Sequence, residues 1–172
     1  AKSAFDLEIK TSLGWIELVA CNDRGDYDLR RHMEVSKKDM MVDDSNNKVL
    51  PNIFELSMGV DRSLYCIMEN SFVKEDGRDI LKLNRDLSPI QVGIFPLAKK
   101  ESMQAKAQEI QNILKKEFQI FYDESGSIGR RYRRQDEVGT HLGITVDYDT
   151  MKNNTVTLRN RDSMEQKRVK IT

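Results

Sequence analysis

The stretch that decides the fold is Ser125–Gly139, SGSIGRRYRRQDEVG. Its arginines crowd into five positions: Arg130, Arg131, Arg133 and Arg134. Ser127 is a suitable helix N-cap, and Ile128 and Tyr132 then share one helix face because they are four residues apart. The stretch therefore predicts a helix that packs on a sheet through Ile128 and Tyr132 and turns its arginines mostly outward. Arg131, at the border of the packed face, is expected to pair with Asp123 or Asp136.

Such a concentration of positive charge is unexpected in a chain of 172 residues with 28 basic and 28 acidic side chains. Residues 1–87 hold 13 Lys and Arg against 17 Asp and Glu, and residues 88–172 hold 15 against 11. This asymmetry favours a second half that meets a polyanion. A solvated surface helix, neutralised by Asp136 and Glu137, is the alternative. Arginine suits phosphates and bases better than a merely soluble surface requires.

The arginine helix sits in a regular series of elements. We predict these others: strand Ile90–Phe95, helix Lys100–Phe118, strand Phe118–Tyr122, strand Leu142–Tyr148, and a hairpin of Thr155–Asn160 with Gln166–Thr172. The order β-α-β-α-β-β-β predicts a mixed sheet covered by helices, with parallel pairs early and antiparallel pairs late.

The first half is less regular. Its predicted elements are strand Gly14–Cys21, a short helix from Tyr27 to Met33, a loop at Lys37–Lys48, strand Pro51–Ser57 and helix Gly59–Phe72. The highly charged segment Lys74–Asp86 is the best candidate for a linker.

Several classes of function find no support in the sequence. Cys21 and Cys66 have neither the number nor the spacing of a zinc site or disulfide framework. No apolar run approaches the ~20 residues needed to span a bilayer, and the first ten residues lack the apolar region of a signal peptide. These features predict a cytoplasmic protein without a membrane partner. Phosphate-loop, dinucleotide-binding and zinc-protease motifs do not occur.

Four segments resemble the glycyl-tRNA synthetases, a family of class II aminoacyl-tRNA synthetases. GSIGRRYRRQDEVGTHLGITVDYDT (126–150) and TVTLRNRDSMEQKRV (155–169) resemble the family's anticodon-binding domain. KTSLGWIELVACNDRGDYDLRRH (10–32) resembles a late strand and helix of its catalytic core, and PNIFELSMGVDR (51–62) resembles its third class II motif.

The resemblance implies a mixed α/β chain. A partial antiparallel class II catalytic sheet (residues 1–75) is followed by a linker (76–88) and a mixed-sheet α/β anticodon-binding domain (89–172). The whole enzyme would ligate glycine to its tRNA through a glycyl-adenylate, using ATP and Mg²⁺, and would be a homodimer.

The resemblance also implies roles for individual residues. Glu55 pairs with the glycine ammonium, and Ser57 hydrogen-bonds glycine while leaving no room for a methyl group. Arg62 is the catalytic arginine that contacts the ATP phosphates, and Glu17 lies near ATP and its magnesium. The expected tRNA-binding residues are Arg130, Arg133, Arg134, Arg159 and Arg161.

Some features depart from the family pattern. Leu56 replaces a proline, Asp61 replaces a small residue, and His141 stands where proline is common. The Arg-x-Glu signature of the second class II motif occurs nowhere in the chain. We therefore expect the C-terminal part of a synthetase, inactive by itself. The alternative is a synthetase-derived accessory protein that binds nucleic acid or a polymerase without catalysis.

Overall fold

The computed structural model describes residues 1–171 and divides into two compact units, residues 1–70 and the part from residue 71 onward. None of the helices within residues 1–171 has the length and apolar character that a membrane crossing would require.

The first unit is built on a three-stranded antiparallel sheet in the order β1-β2-β5. Its elements are β1 (Ser3–Thr11), β2 (Gly14–Gly25), α1 (Tyr27–Ser36), β3 (Val42–Asp44), β4 (Asn47–Val49), β5 (Ile53–Met58) and α2 (Val60–Ser71). The strands β3 and β4 form a separate hairpin.

The two faces of this sheet differ in polarity. Residues directly opposite each other in an antiparallel pair share a face. One face is apolar and includes Phe5, Leu7, Phe54, Leu56 and Met58, each between 57% and 68% exposed. The other face is mainly polar and carries Glu17, Asn22, Glu55 and Ser57, although Trp15 also lies on it. The unit therefore presents an apolar surface larger than scattered surface residues would give.

The second unit contains a five-stranded sheet in the order β12-β11-β10-β8-β9 and a hairpin β6-β7. Its elements are β6 (Phe72–Glu75), β7 (Arg78–Leu81), a short 3-10 helix (Arg85–Leu87), β8 (Val92–Pro96), α3 (Glu101–Leu114), β9 (Ile120–Tyr122), α4 (Ile128–Val138), β10 (Leu142–Val146), α5 (Tyr148–Asn153), β11 (Thr155–Asn160) and β12 (Gln166–Lys170). Strand β8 is parallel to β9 and β10, whereas β10-β11-β12 are antiparallel.

The helices α3 and α4 cover opposite faces of this sheet. Alternation along β8 turns Ile94 toward α3, where it joins a buried apolar cluster with Ala107 and Ile110. The next residue, Phe95, points to the other face and meets the ring of Tyr132 edge-on, with 5.0 Å between centroids. Gly143 gives Tyr132 its place, since a Cβ there would lie 2.4 Å from the ring. Layered burial of this kind is what the alternating apolar pattern predicts.

The predicted mixed α/β class is confirmed, including the change from parallel to antiparallel pairing. Three details differ from the sequence-based expectations. The supposed loop Lys37–Lys48 contains the hairpin β3-β4, the strand β1 was missed, and the short helix α5 follows β10 directly. The end of the last predicted strand, Thr172, lies outside the described residues.

The expected linker at residues 76–88 is wrong, because most of this segment is folded into the second unit. The chain divides between residues 70 and 71, and the hairpin β6-β7 follows at once. Arg78, Ile80 and Leu83 are buried, and β7 packs against α4. The many charged residues suggested a solvated linker, but one of them, Arg78, is buried and is neutralised by Asp136.

We expect Ile80→Ala to destabilise the second unit by about 2–5 kcal/mol, since Ile80 is fully buried and its truncation leaves a cavity. The exposed neighbour Asp79→Ala should stay within about 0.5 kcal/mol of wild type. Urea unfolding measures both variants. Equal stability of the two would mean that the hairpin behaves as a loose connection after all.

Candidate functional site

The polar face of the first sheet brings together the side chains predicted to bind glycine and ATP. Ser57 pairs with Ala20, and Glu55 with Asn22, so these residues share one face. Leu7 pairs with Val19 but Glu8 pairs with Glu17, which leaves Leu18 as an extra residue on β2. This bulge changes the alternation and places Glu17 on the same face as Ser57.

A groove of the first unit is lined by Glu17, Ser57, Asp61 and Arg62, among others. Arg62 lies on the first turn of α2 and donates from Nη1 to the main-chain oxygen of Glu17 at 2.6 Å. The same nitrogen is 3.5 Å from Glu17 Oε1. Both side chains are about half exposed, so water and a ligand can reach them. The groove thus offers one cation and two carboxylates around a hydroxyl.

Glu55 does not line this groove in the structure but lies on the same sheet face. Its carboxylate is 3.4 Å from Arg24 Nε. That guanidinium also donates to both carboxylate oxygens of Asp28. The bond to Asp28 lowers the pKa of Asp28 and opposes the effect of its burial. Arg24 is thus shared between Asp28 and Glu55, a contact that sequence reasoning missed.

The groove of the first unit offers few side chains that could bind magnesium. Within residues 1–171 no group of three His, Cys, Asp or Glu side chains is arranged to hold a metal. Mg²⁺ in nucleotide sites often uses one or two carboxylates together with substrate phosphates and water. Glu17 fits that role, since among the described residues only Arg62 approaches its carboxylate.

In the second unit, α4 is held in place by hydrogen bonds from the buried Arg131 to main-chain oxygens. Arg131 is 3% exposed. Its guanidinium donates to the main-chain oxygens of Pro96 (2.5 Å), Gly126 (2.8 Å), Glu124 (3.1 Å) and Ser125 (3.4 Å). The expected pairing of Arg131 with Asp123 or Asp136 is therefore wrong. Carbonyl groups, rather than a carboxylate, satisfy this buried cation and fix the segment before α4 against β8.

Asp136 holds two other arginines. It is 2% exposed and accepts from Arg78 Nη1 at 2.9 Å and from both terminal nitrogens of Arg159, at 2.9 and 3.1 Å. Arg159 also stacks on Tyr132, with its Cζ 4.8 Å from the ring centroid. This cluster joins β7, α4 and β11 through one carboxylate. The sequence predicted that Asp136 pairs with arginines of its own helix, and the pairing with Arg78 and Arg159 was not predicted.

Arg161 ties the same elements through the main chain. Its Nη1 donates to the oxygens of Gly139 and Leu81, and its Nη2 donates to the oxygen of Leu83. Arg161 is 2% exposed and Arg159 is 8% exposed. The expectation that these two arginines lie on an accessible tRNA-binding surface is corrected, because both are buried and hydrogen-bonded inside the unit.

The other three predicted tRNA-binding arginines, Arg130, Arg133 and Arg134, are more accessible. Arg133 is exposed and donates one hydrogen bond to the oxygen of Gly77. Arg134 is partly exposed and pairs with Asp123. Arg130 is exposed and makes no hydrogen bond or ion pair within residues 1–171. A direct RNA contact therefore stays a prediction for Arg130, Arg133 and Arg134, with Arg130 having the most freedom.

The ion pair between Arg134 and Asp123 makes the stability of the second unit depend on pH. Burial raises the pKa of Asp123, but hydrogen bonds from Arg134 and from Ser125 outweigh it and lower that pKa to about 2. A lowered pKa in the folded state stabilises the fold above the unfolded pKa of about 4. This contribution is lost as the pH falls from about 4 to about 2.

Known proteins with similar sequences point in the same direction. Residues 91–172 match the family described as Anticodon binding domain. The chain is 45% identical over 98% of its length to the glycine–tRNA ligase of Treponema denticola, and covers 40% of that protein. The glycine–tRNA ligases of Clostridium tetani and Mesoplasma florum are each 43% identical over at least 96% of this chain, which spans 38% of either protein.

A solved structure supports the fold. The prolyl-tRNA synthetase of Giardia lamblia, in complex with prolyl-adenylate, aligns with 97% of this chain and 35% of its own length, with a TM-score of 0.69 and 18% identity. Residues 91–172 are thus similar to the anticodon-binding domain family. The chain as a whole is similar to glycine–tRNA ligases and spans about 40% of their length.

We expect Asp136→Asn to destabilise the second unit by about 3–5 kcal/mol, because it leaves two buried guanidinium groups without their common counter-ion. The neighbouring exposed residue provides the matched control, and Glu137→Gln should change stability by less than about 0.5 kcal/mol. Chemical denaturation followed by circular dichroism measures both. A small effect of Asp136→Asn would show that the cluster does not hold the unit together.

Proposed function

We propose that the chain is part of a glycine–tRNA ligase, the second unit of which binds the anticodon arm of glycine tRNA. In the same proposal the first unit contributes to the site for glycine and ATP. The structural observation that carries this proposal is the convergence of Glu17, Ser57 and Arg62 on one groove. The anticodon-binding match and the identity to glycine–tRNA ligases support it.

Each residue of the proposed glycine and ATP site, including Glu55 on the same sheet face, has a task that its chemistry suits. Glycine lacks a side chain, so its ammonium and its small size must identify it. The carboxylate of Glu55 binds the ammonium, and Ser57 donates to glycine at close range, where an added methyl group would collide. Glu17 binds the magnesium that accompanies ATP, and that ion, when bound, neutralises part of the phosphate charge.

Arg62 carries the catalytic role in this proposal. The glycine carboxylate attacks the α-phosphorus of ATP, forms a bond to it and releases pyrophosphate, which keeps the electron pair of the broken P–O bond. Negative charge grows on the phosphate oxygens in the transition state, and a fixed guanidinium stabilises it. The hydrogen bond from Arg62 to the main chain of Glu17 holds the guanidinium at the groove. A hydroxyl of the terminal ribose of the tRNA then attacks the glycyl carbonyl carbon and loses its proton, and AMP leaves with the electron pair of the broken C–O bond.

The proposal includes the homodimer that the resemblance implies and the cytoplasmic location that the sequence features predict. It also assigns different tasks to the arginines of the second unit. Arg159 and Arg161 position α4, and Arg130 contacts the RNA backbone, with Arg133 and Arg134 as secondary contacts.

We expect Arg130→Ala to lower the salt dependence of tRNA binding by about one unit of slope, since it removes one phosphate contact. Affinity should fall alike for glycine tRNA and for an anticodon-swapped tRNA. Lys116→Ala removes the same charge at the end of α3, beside the opposite sheet face, and should leave the slope unchanged. Titrations of the 172-residue chain at several salt concentrations measure this. If wild type binds no tRNA, the anticodon-binding role is refuted.

We also expect the 172-residue chain alone to show no glycine-dependent exchange between ATP and pyrophosphate. The chain lacks an Arg-x-Glu signature, whose charges would complete the ATP site. The full-length ligase of Treponema denticola, assayed in parallel, is the positive control. Exchange by the chain above a heat-denatured sample would contradict the expectation. If the full-length protein that contains this chain is inactive but binds RNA, the accessory-protein alternative is favoured.

A further inference from the structure

The polar face of the first sheet carries one aromatic side chain, Trp15, which is also the only tryptophan of the chain. Its side chain is 67% exposed. Tryptophan is highly buried on average, because its large apolar ring gains more from leaving water than most side chains do. The recognition of glycine and ATP proposed above does not use this ring. Trp15 is therefore an exposed aromatic surface on a polar face without an assigned task.

The backbone that presents Trp15 is fixed in place. In the turn between β1 and β2, the main-chain nitrogen of Ser12 donates to Glu69 Oε1 on α2 at 3.0 Å, and the Ser12 hydroxyl donates to the same oxygen. Thr11 Oγ1 donates to the main-chain oxygen of Gly14 at 3.0 Å. The exposure of the ring is thus a property of an anchored strand end and not of a loose loop.

Trp15 lies next to the groove proposed for glycine and ATP. It is two positions before Glu17 on β2, on the same face, so the two residues are about 7 Å apart along the strand. Glu17 lines that groove together with Arg62. A flat group stacked on the indole would therefore lie beside the groove.

The side chain directly opposite Trp15 is a cation. Lys10 pairs with Trp15 across β1 and β2, is exposed, and makes no ion pair within residues 1–171. Side chains directly opposite each other have Cβ atoms about 4.5–5.5 Å apart. Glu8 shares this face but pairs with Glu17, so the free positive charge is at the end of the sheet that carries Trp15. An aromatic ring beside a free cation suits an unpaired base and its neighbouring phosphate.

The transfer step supplies a ligand of this chemistry. The terminal ribose of the tRNA has to reach the adenylate, and the nucleotides next to that ribose are unpaired, so their bases have free faces for stacking. ATP is a poorer match. Its phosphates are already assigned to Arg62 and magnesium, whereas Lys10 calls for a phosphate outside the groove.

We propose that Trp15 stacks on an unpaired base at the 3′ end of the tRNA, and that Lys10 pairs with a phosphate beside that base. The inference rests on the proposed glycine–tRNA ligase function and adds to it a contact that guides the end of the tRNA to the groove. The stacking is tolerant of base identity, since every base has a flat face.

The single tryptophan makes a direct test possible, because the indole fluorescence of the 172-residue chain reports on Trp15 alone. The ligands are intact glycine tRNA, the same tRNA without its unpaired 3′ nucleotides, and ATP. Anisotropy of a dye on the RNA measures binding independently, and the emission is corrected for light that the RNA absorbs. We expect intact tRNA to quench Trp15 to saturation. The shortened tRNA should bind through the second unit and leave the emission unchanged.

Variants test the energy of the contact. Stacking of one base changes affinity by roughly 5- to 150-fold, so Trp15→Ala should weaken binding of intact tRNA by that factor and lose nothing further with the shortened tRNA. Trp15→Phe keeps a flat ring and should recover part of the loss. Lys10→Ala should lower the salt slope by about one unit for intact tRNA only. Leu13→Ala removes an exposed apolar side chain from the same turn and should behave as wild type does.

Intact tRNA that binds without changing the emission of Trp15, or equal quenching by the shortened tRNA, would overturn the assignment and leave the proposed anticodon binding standing. Quenching by ATP alone would place Trp15 at the nucleotide and would also overturn it. No binding of any tRNA by wild type would remove both proposals. Circular dichroism checks the fold of each variant, and if Trp15→Ala fails to fold, the fluorescence titration of wild type decides the matter.

Discussion

The second unit depends on one buried carboxylate. Asp136 on α4 accepts hydrogen bonds from Arg78 on β7 and from Arg159 on β11, three elements far apart in sequence. A buried ion pair gives little net stability over an apolar replacement of both partners, but breaking one is costly because a charge is left without a partner. The cluster therefore makes the placement of the hairpin β6-β7 nearly all-or-none. Arg161 adds to this by donating to main-chain oxygens of the hairpin and of Gly139.

The arginines consequently serve two different purposes that a count of charges does not separate. Four arginines of the second unit, Arg78, Arg131, Arg159 and Arg161, are buried and donate hydrogen bonds to carboxylate or main-chain oxygens. A guanidinium is suited to this because its planar fork reaches several acceptors at once and stays charged. What remains for a polyanion is a smaller set on the outer side of α4. The positive balance of the second half is thus partly internal structure.

Local patterns in the sequence were sufficient for most of the second unit. Apolar spacing predicted α3 and α4, and alternation together with turn residues predicted β11 with the bounds that the structure has. The helix α4 follows Ser127, the predicted N-cap, although the Ser127 side chain makes no capping hydrogen bond. It ends at Gly139, whose φ of 85° suits glycine.

The features that sequence reasoning missed depend on contacts between distant residues. The hairpin β6-β7 looked like a linker because Asp136, the partner of Arg78, and the rest of α4, on which β7 packs, follow much later in the sequence. The bulge at Leu18, which places Glu17 beside Ser57, arises from pairing with β1, a strand that was not predicted. Of the candidate site, the residue types in the glycine and ATP groove were predictable from family resemblance, whereas the burial of Arg159 and Arg161 was not.

The proposed glycine site relies on space more than on attraction, because a hydrogen bond at Ser57 leaves no volume for a methyl group. Attraction between charges is long-ranged and tolerant of position, so it recruits ligands of one class without ranking them. Steric fit is short-ranged and requires walls that do not yield, because a wall that shifts by an ångström admits the wrong ligand. The buried clusters supply that rigidity in the second unit. Asp136 holds Arg159, and the Arg159 guanidinium lies against the Tyr132 ring. The buried arginines therefore keep the shape of the second unit constant, which any selection by steric fit on its surface requires.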